Sequence, residues 1–430
     1  MLATYALVLF FVSLLGVVAA LADRGTLRLL RDAAWPGVPY LVLTALAAWV
    51  SLRSFDAIDA HAFRAHEEAL HFVFLGQSAV ADFHPAEMQA LIGRFYAWLG
   101  GFGASMTLFV GGALGLGVWG VPLSGMAVQA LSGSRKAGVL TALILALHPT
   151  LAYWRVHAFH VAPAHSLFCA TLLFAVLVAS HPTRRMFAAW FLLGALTCFV
   201  RIEFAGAVVA TAAIPLLRQP GLIKRVGTWL PGLLVAAALF ALPEREILAA
   251  AQQREDYRLG LRFLWLHAPM WPAYRPLSTL GGGVLLSLGL GLLAGYPKGG
   301  ERRVAGALGI IGILGVLPPL FFTDFGARHA LPATTAGIML ASLGAARFSE
   351  AEHKQRLRQL AVILLVLSVG FASLSDLRDL GARYGNHQGG TPAVAGVQRP
   401  SSAMPDGWID CAIYSNHPRI CDTSPNCHPV

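Results

Sequence analysis

Charge is scarce in this chain. Only 13% of its 430 residues are Asp, Glu, Lys or Arg, against about 25% in an ordinary soluble domain. Lysine is nearly missing, with four occurrences at Lys136, Lys224, Lys298 and Lys354. Acids are all but absent from the middle of the long apolar runs. That counts against a transporter or flippase, which places polar groups near the bilayer midplane. The chain has no P-loop, no nucleophile elbow and no Asn-x-Ser/Thr acceptor site, so no standard nucleotide or serine-hydrolase motif is available to it. No internal repeat stands out.

Apolar residues fill the space that charge leaves. They make up 56% of the chain, and the mean hydropathy is +0.63. A soluble enzyme of this length and a disordered chain are both excluded. About 20 consecutive apolar residues cross a bilayer as a helix, and that pattern recurs at about 2–21, 37–53, 104–131, 137–152, 163–180, 186–200, 204–217, 227–243, 279–295, 304–322, 330–346 and 359–375. The expected fold is an all-α polytopic membrane protein with about twelve transmembrane helices over residues 1–375. A Gly-, Pro- and Ser-rich tail follows over 376–430. Residues 1–22 have no basic n-region and no clear cleavage site before Asp23, so they read as a span, for which an uncleaved signal anchor serves equally well. Glycines at 281–283 and 288–291 fall inside a span, where small residues serve helix packing.

The formal charge is +10, which invites a nucleic-acid reading that the distribution of charge does not support. The connections at 22–36, 132–136, 181–185, 218–226, 296–303 and 347–358 carry 17 Lys/Arg against 5 Asp/Glu, and all four lysines. The opposite side carries 15 Arg against 17 Asp/Glu. By the positive-inside rule the first side is cytoplasmic, and no nucleic-acid partner is expected. Thirteen of the fifteen histidines fall on the outer side or near it; His181 and His353 are the exceptions. Titratable groups gathered at one face place the work there, on the extracytoplasmic side of a multi-pass protein of the kind found in a bacterial inner membrane.

That outer face has two substantial loops. The first, about 54–103, reads as amphipathic helix from the spacing of Phe63, Leu70 and Phe74 and of Leu91, Phe95 and Trp98. It holds Asp56, Asp59, His61, Arg64, His66, Glu67, Glu68, His71, Asp82 and His84. A carboxylate there can serve as general base toward an acceptor hydroxyl; ordinary salt bridges on a solvated helix account for the same residues. The second loop, about 244–278, ends in an aromatic and proline-rich run suited to the membrane interface.

Three further groups stand out. Tyr153, Trp154, Arg155, His157 and His160 form a short outer loop suited to a phosphate headgroup, or else an interface belt with one snorkelling arginine. His157 and His160 also admit a divalent cation, which is the one cofactor the residues leave open. Arg201 and Glu203 flank a very short turn near hydrocarbon, where charges are costly and usually paired. Asp324, Arg328 and His329 precede Pro332, and an arginine there is positioned for a lipid-linked phosphate. Cys169 and Cys198 sit within spans and pack as small hydrophobes. Cys411, Cys421 and Cys427 lie in the outer tail, where one disulfide is plausible. His417 and His428 beside them match no standard zinc spacing.

Over about residues 50–345 the order of motifs resembles the GT-C superfamily of polytopic glycosyltransferases, in particular its protein-mannosyltransferase and aminoarabinose-transferase branch. The matching runs are His66-Glu67-Glu68-Ala69-Leu70-His71, Asp82-Phe83-His84-Pro85, Arg94-Phe95-Tyr96, Gly133-Ser134-Arg135-Lys136, His148-Pro149, Tyr153-Trp154-Arg155, Arg201-Ile202-Glu203 and Arg328-His329-Ala330-Leu331-Pro332. The resemblance implies a sugar taken from a polyprenyl-phosphate carrier and passed, with inversion, to a lipid, glycan or protein acceptor, among membrane lipids. It implies a base among Asp56, Asp59, Glu67 and Glu68. It also implies substrate contacts from Arg328, Arg155, His84, His157, Arg201, Glu203, Asp82 and His329, assigns none of them to a metal, and leaves a divalent cation open. The family's base is usually aspartate, whereas the best-placed pair here is Glu67-Glu68, and its proline doublet is reduced to His84-Pro85-Ala86. A catalytically inactive scaffold of the same fold is the remaining alternative.

Overall fold

Proline decides where the apolar runs break. A computed structural model describes residues 2–25, 27–28, 31, 37–54, 106–156, 160–219, 221–222, 300–320 and 327–350, all within one unit, Met1–Tyr384. Among the described residues every element is helical, and there is no strand. The helices are α1 (Leu2–Leu21), α2 (Gly37–Ser54), α3 (Met106–Val118), α4 (Gly120–Ser132), α5 (Arg135–Leu147), α6 (Pro149–Val156), α7 (Val161–Ser180), α8 (Arg184–Val200), α9 (Ala205–Ala210), α10 (Ala213–Arg218), α11 (Gly300–Leu320) and α12 (Leu331–Glu350). Short 3-10 turns at Ile202–Phe204 and Ala327–Ala330 precede α9 and α12. The expected spans at 227–243, 279–295 and 359–375, both large outer loops and the tail lie outside the described residues.

Two expected spans are each interrupted, and in both cases the cause is local. The run expected at 104–131 stops at Trp119, because Pro122 has no N–H to give the Val118 carbonyl. Ser166 on α7 repairs the ladder. The Gly120 N–H donates to its Oγ at 2.8 Å, and its hydroxyl donates to the Gly117 carbonyl at 3.1 Å. The run expected at 137–152 ends at His148, which Pro149 holds extended (φ −66°, ψ 120°). Pro149 then opens α6 in the first-turn position it favours, and the axis bends by 63°. Tyr153, Trp154 and Arg155 therefore stand on a helix and not in the expected outer loop. The stretch 204–217 is likewise divided, with Thr211 and Ala212 between α9 and α10, where Pro215 removes the bond to the Thr211 carbonyl.

Among the described residues, Val110–Ser132 and Val161–Ser180 are each long and apolar enough to cross a membrane, and the bent α5–α6 pair makes a third if taken as one span. The central helix is α7. It is apolar around its whole circumference and buried along nearly its full length, packed by α3, α4, α8 and α10. Polar groups within the packing find partners across helices. Thr171 and Thr197 stand 3.2 Å apart between α7 and α8, and the Trp190 indole N–H donates to Thr211 Oγ1 at 3.0 Å. The outward faces carry large apolar side chains, among them Leu15, Leu41, Trp49 and Ile313, a surface that lipid tails would cover.

Helix ends sort into two groups. At one end the Arg218 guanidinium donates to the Leu131 carbonyl at 3.1 Å and the Gln219 amide to the Ala179 carbonyl at 2.7 Å. His181 lies 3.9 Å from Asp23 at the same end. Four of the connections that the charge count groups on one side, 22–36, 132–136, 181–185 and 218–226, are thereby brought together. The helix termini at His148, His160, Arg201 and Ala327 lie at the opposite ends of these helices.

Small residues set the closest crossing. The Tyr40 hydroxyl on α2 donates to Gln129 Oε1 at 2.8 Å, and its ring lies over Gly125 and Gly138, where α4 and α5 meet. A Cβ at Gly138 would stand 2.6 Å from the Gly125 carbonyl oxygen and closer still to the Tyr40 hydroxyl. Gly138→Ala is expected to destabilise the protein by about 1–3 kcal/mol through overpacking. Gly111→Ala on α3, where a Cβ meets nothing within 4 Å, is expected to be neutral or stabilising by up to about 1 kcal/mol. Thermal unfolding of both variants in detergent, read as a midpoint shift against the parent, checks the pair.

Candidate functional site

The site begins where α8 runs out. Arg201 leaves the helix in extended geometry (φ −150°, ψ 99°) while its N–H still bonds the Thr197 carbonyl at 2.8 Å. The Phe204 N–H returns to the Arg201 carbonyl at 3.2 Å, closing the 3-10 turn that carries Glu203. A turn this short cannot carry the Arg201 side chain to water, and the residue is 1% exposed. Its guanidinium rests 5.6 Å from the centre of the Phe204 ring. A buried guanidinium needs acceptors, and among the described residues this one meets His160 and Glu203. Nη1 donates to His160 Nε2 at 3.1 Å, and Nη2 lies 3.4 Å from Glu203 Oε1.

The second half comes from a segment more than a hundred residues away. The turn at Ala327–Ala330 brings His329 Nε2 to 3.8 Å from the same Glu203 oxygen. Arg328 Nε donates to His329 Nε2 at 3.1 Å, and the Arg328 guanidinium lies 5.7 Å from the centre of the Trp154 ring on α6. Tyr153 meets Trp154 edge-on, with ring centres 5.0 Å apart. Among the described residues the cluster thus gathers two guanidinium groups, one carboxylate and an imidazole from the end of α8, the turn after it and the turn before α12, with the Trp154 ring of α6 against Arg328. His160 closes it from the start of α7.

The arginines fix the imidazole tautomers. Guanidinium can only donate, so His160 Nε2 and His329 Nε2 both act as acceptors and the ring proton of each sits on Nδ1. Nε2 of His329 cannot at the same time donate to Glu203, so the 3.8 Å approach is a proximity and not a hydrogen bond. Burial, and then the charges of Arg201 and Arg328, hold His160 well below its ordinary pKa of 6.5, which agrees with its role as a neutral acceptor.

Arg155 has a different set of partners. It is 1% exposed, and its Nη1 and Nη2 donate to the carbonyls of Ala146 and Leu145 at 3.1 and 2.7 Å. Those carbonyls belong to the last turn of α5, where the regular donors four residues on run out. Leu145 otherwise has only a long bond from the His148 N–H at 3.4 Å among the described residues, and the helix dipole there favours a cation. Arg155 therefore ties α6 back onto α5 across the Pro149 bend. A separate polar bridge joins α7 to α12. The Thr335 hydroxyl donates to the Leu331 carbonyl at 2.9 Å and so accepts from His165 Nε2 at 2.7 Å.

Of the residues singled out in the sequence, the structure brings Arg201, Glu203, Arg328 and His329 into one cluster. Asp56, Asp59, Glu67, Glu68, Asp82, His84, His157 and Asp324 lie outside the described residues. Among the described residues no group of three or more His, Cys, Asp or Glu side chains is close enough to hold a metal ion. The sequence groups His160 with residues 153–157 as a loop and a potential metal ligand, whereas the fold gives it to Arg201. The available signal was the arginine itself, which has to find acceptors beyond one glutamate so close to hydrocarbon.

No family model matches the chain, and no curated protein matches it. Among solved structures the chain is similar to the archaeal oligosaccharyltransferase AglB from Archaeoglobus fulgidus, in complex with an inhibitory peptide and a dolichol-phosphate, at 12% sequence identity and a TM-score of 0.43. The match covers 82% of this chain and 56% of that one, so the chain spans little more than half the length of that structure.

The depressed pKa of His160 has a pH signature. The unfolded chain binds a proton at this residue below about pH 6.5, while the folded chain does not until well below that. Its contribution to stability is therefore complete above that range and is lost as the pH falls through it, at up to about 1.4 kcal/mol per pH unit. The thermal midpoint is expected to be level above about pH 7 and to decline below about pH 6.5. His160→Gln keeps an acceptor for Arg201 without a titrating ring and should show a shallower decline, measured by thermal unfolding across a pH series.

Proposed function

We propose that this chain is a multi-pass membrane glycosyltransferase of the GT-C kind. It takes a sugar from a polyprenyl-phosphate carrier and passes it to a lipid, glycan or protein acceptor at the extracytoplasmic face. The observation that carries this reading is the convergence of Arg201, Glu203, His329 and Arg328 at one mouth of the bundle. Two distant parts of the sequence supply it, and both belong to motifs that resemble that family. The mouth lies at the helix ends opposite the connections in which basic residues predominate, which by the positive-inside rule is the outer side.

The chemistry follows from charge. As the bond between sugar and phosphate breaks, negative charge grows on the departing lipid phosphate, and preorganised cations at the edge of a low-dielectric region stabilise that change strongly. Arg328 is the foremost phosphate ligand in this reading. Arg201 stands behind it, and Glu203 and His329 set the spacing between the two guanidinium groups. The acceptor hydroxyl gives its proton to a first-loop carboxylate, one of Asp56, Asp59, Glu67 and Glu68, as its oxygen attacks the anomeric carbon and inverts it. The lipid tail runs between helices, and the acceptor approaches from the aqueous side.

The test is sugar release from a polyprenyl-phosphate-sugar donor by the purified protein in lipid nanodiscs, run with and without a chelator to read out any divalent-cation requirement. Arg328→Ala is expected to lower the rate by about 10²–10³-fold. One of Asp56→Asn, Asp59→Asn, Glu67→Gln and Glu68→Gln is expected to lower it by about 10²–10⁴-fold. Arg135→Ala, at the other end of the bundle, should leave it unchanged. Full activity in Arg328→Ala together with all four acid variants would sink the proposal.

A further inference from the structure

A guanidinium at a bundle mouth contributes to phosphate binding only if its plane and position are held, because a mobile side chain loses rotamer freedom on every binding event. Among the described residues, two neutral groups meet Arg328. His329 takes its Nε–H at 3.1 Å, and the Trp154 ring lies 5.7 Å from its carbon. Trp154 is itself immobile. It is buried, braced edge-on by Tyr153, and carried on a helix of only two turns whose direction is set by Pro149 and latched by Arg155 onto the Leu145 and Ala146 carbonyls. The elbow between α5 and α6 thus ends in an aromatic face turned toward Arg328. Arginine over indole is the strongest of the cation–π pairings, worth more when shielded from water.

We infer that Trp154 is a positioning residue for Arg328: its ring fixes the guanidinium in the orientation that receives the carrier's phosphate, and the Arg155-latched elbow holds the ring in place. This rests on the glycosyltransferase reading above and adds to it a residue that touches neither sugar nor phosphate. The division of labour is specific. Trp154 acts through the cation that meets the donor phosphate and not through the base, so its loss lowers the donor kcat/KM and leaves the pH profile, which the base sets, as it was.

The experiment compares Trp154→Leu, Trp154→Met and Trp154→Phe with Arg328→Ala, all in nanodiscs, for donor kcat/KM and its pH profile in sugar release, after size-exclusion chromatography establishes the folded fraction. Trp154→Leu is expected to lower the donor kcat/KM about tenfold with the pH profile unshifted, and Trp154→Phe, which keeps an aromatic face, to hold kcat/KM within about threefold of the parent. Trp154→Met fills similar space without a ring and replaces Trp154→Leu if that variant does not fold. An unchanged donor kcat/KM in the Leu or Met variant, a shifted pH profile, or a Phe variant as impaired as the Leu variant overturns the positioning role while Arg328→Ala remains impaired. Full activity of Arg328→Ala overturns the glycosyltransferase reading itself, and this inference with it.

Discussion

A guanidinium removed from water must be met on several sides at once, and the requirement of Arg201 organises the mouth of this bundle. One glutamate two residues away satisfies part of it. The rest falls to His160 at the start of α7 and to the Phe204 ring, so the end of α8, the turn after it and the start of α7 are drawn to one point. Glu203 then approaches His329, and His329 accepts a hydrogen bond from Arg328, so the segment before α12 is held to the same place. Removing one partner from such a set leaves a buried polar group unsatisfied, which costs more than the bond that is lost.

A second arginine, equally buried, follows a different rule. Arg155 is met by peptide carbonyls at the end of α5 and by the negative pole of that helix. It works as a latch on a bend that proline creates. The contrast shows why burial of a cation is poor evidence of its role until its acceptors are known: one arginine faces side chains that can be rearranged around a ligand, while the other faces backbone that cannot.

The helices were legible in the sequence wherever length and apolarity alone decide them, as at 2–21, 37–53 and 163–180. The breaks were less legible although their cause was in view. Pro122 lies inside an apolar run, and only the fold reveals that Ser166 stands at the resulting break, accepting from the Gly120 amide and donating to the Gly117 carbonyl. The Arg201–Glu203 pair could be read locally, because the two are neighbours. The links from Arg201 to His160 and from Glu203 to His329 could not, since each joins segments that meet only after α7 and α12 have packed. Trp154 and Arg155, adjacent in sequence and read as one group, turn out to face different tasks because consecutive residues on a helix point about 100° apart.

Ser166 carries a consequence of its own. Its hydroxyl group serves two backbone atoms of a neighbouring helix, so positions 122 and 166 form a pair in inheritance as well as in space. A relative that lost the hydroxyl while keeping the imino acid would bury an amide and a carbonyl with nothing to receive them in a medium that supplies no water. Descendants of this sequence should therefore change the two sites together or neither, with a straight third helix wherever both have gone.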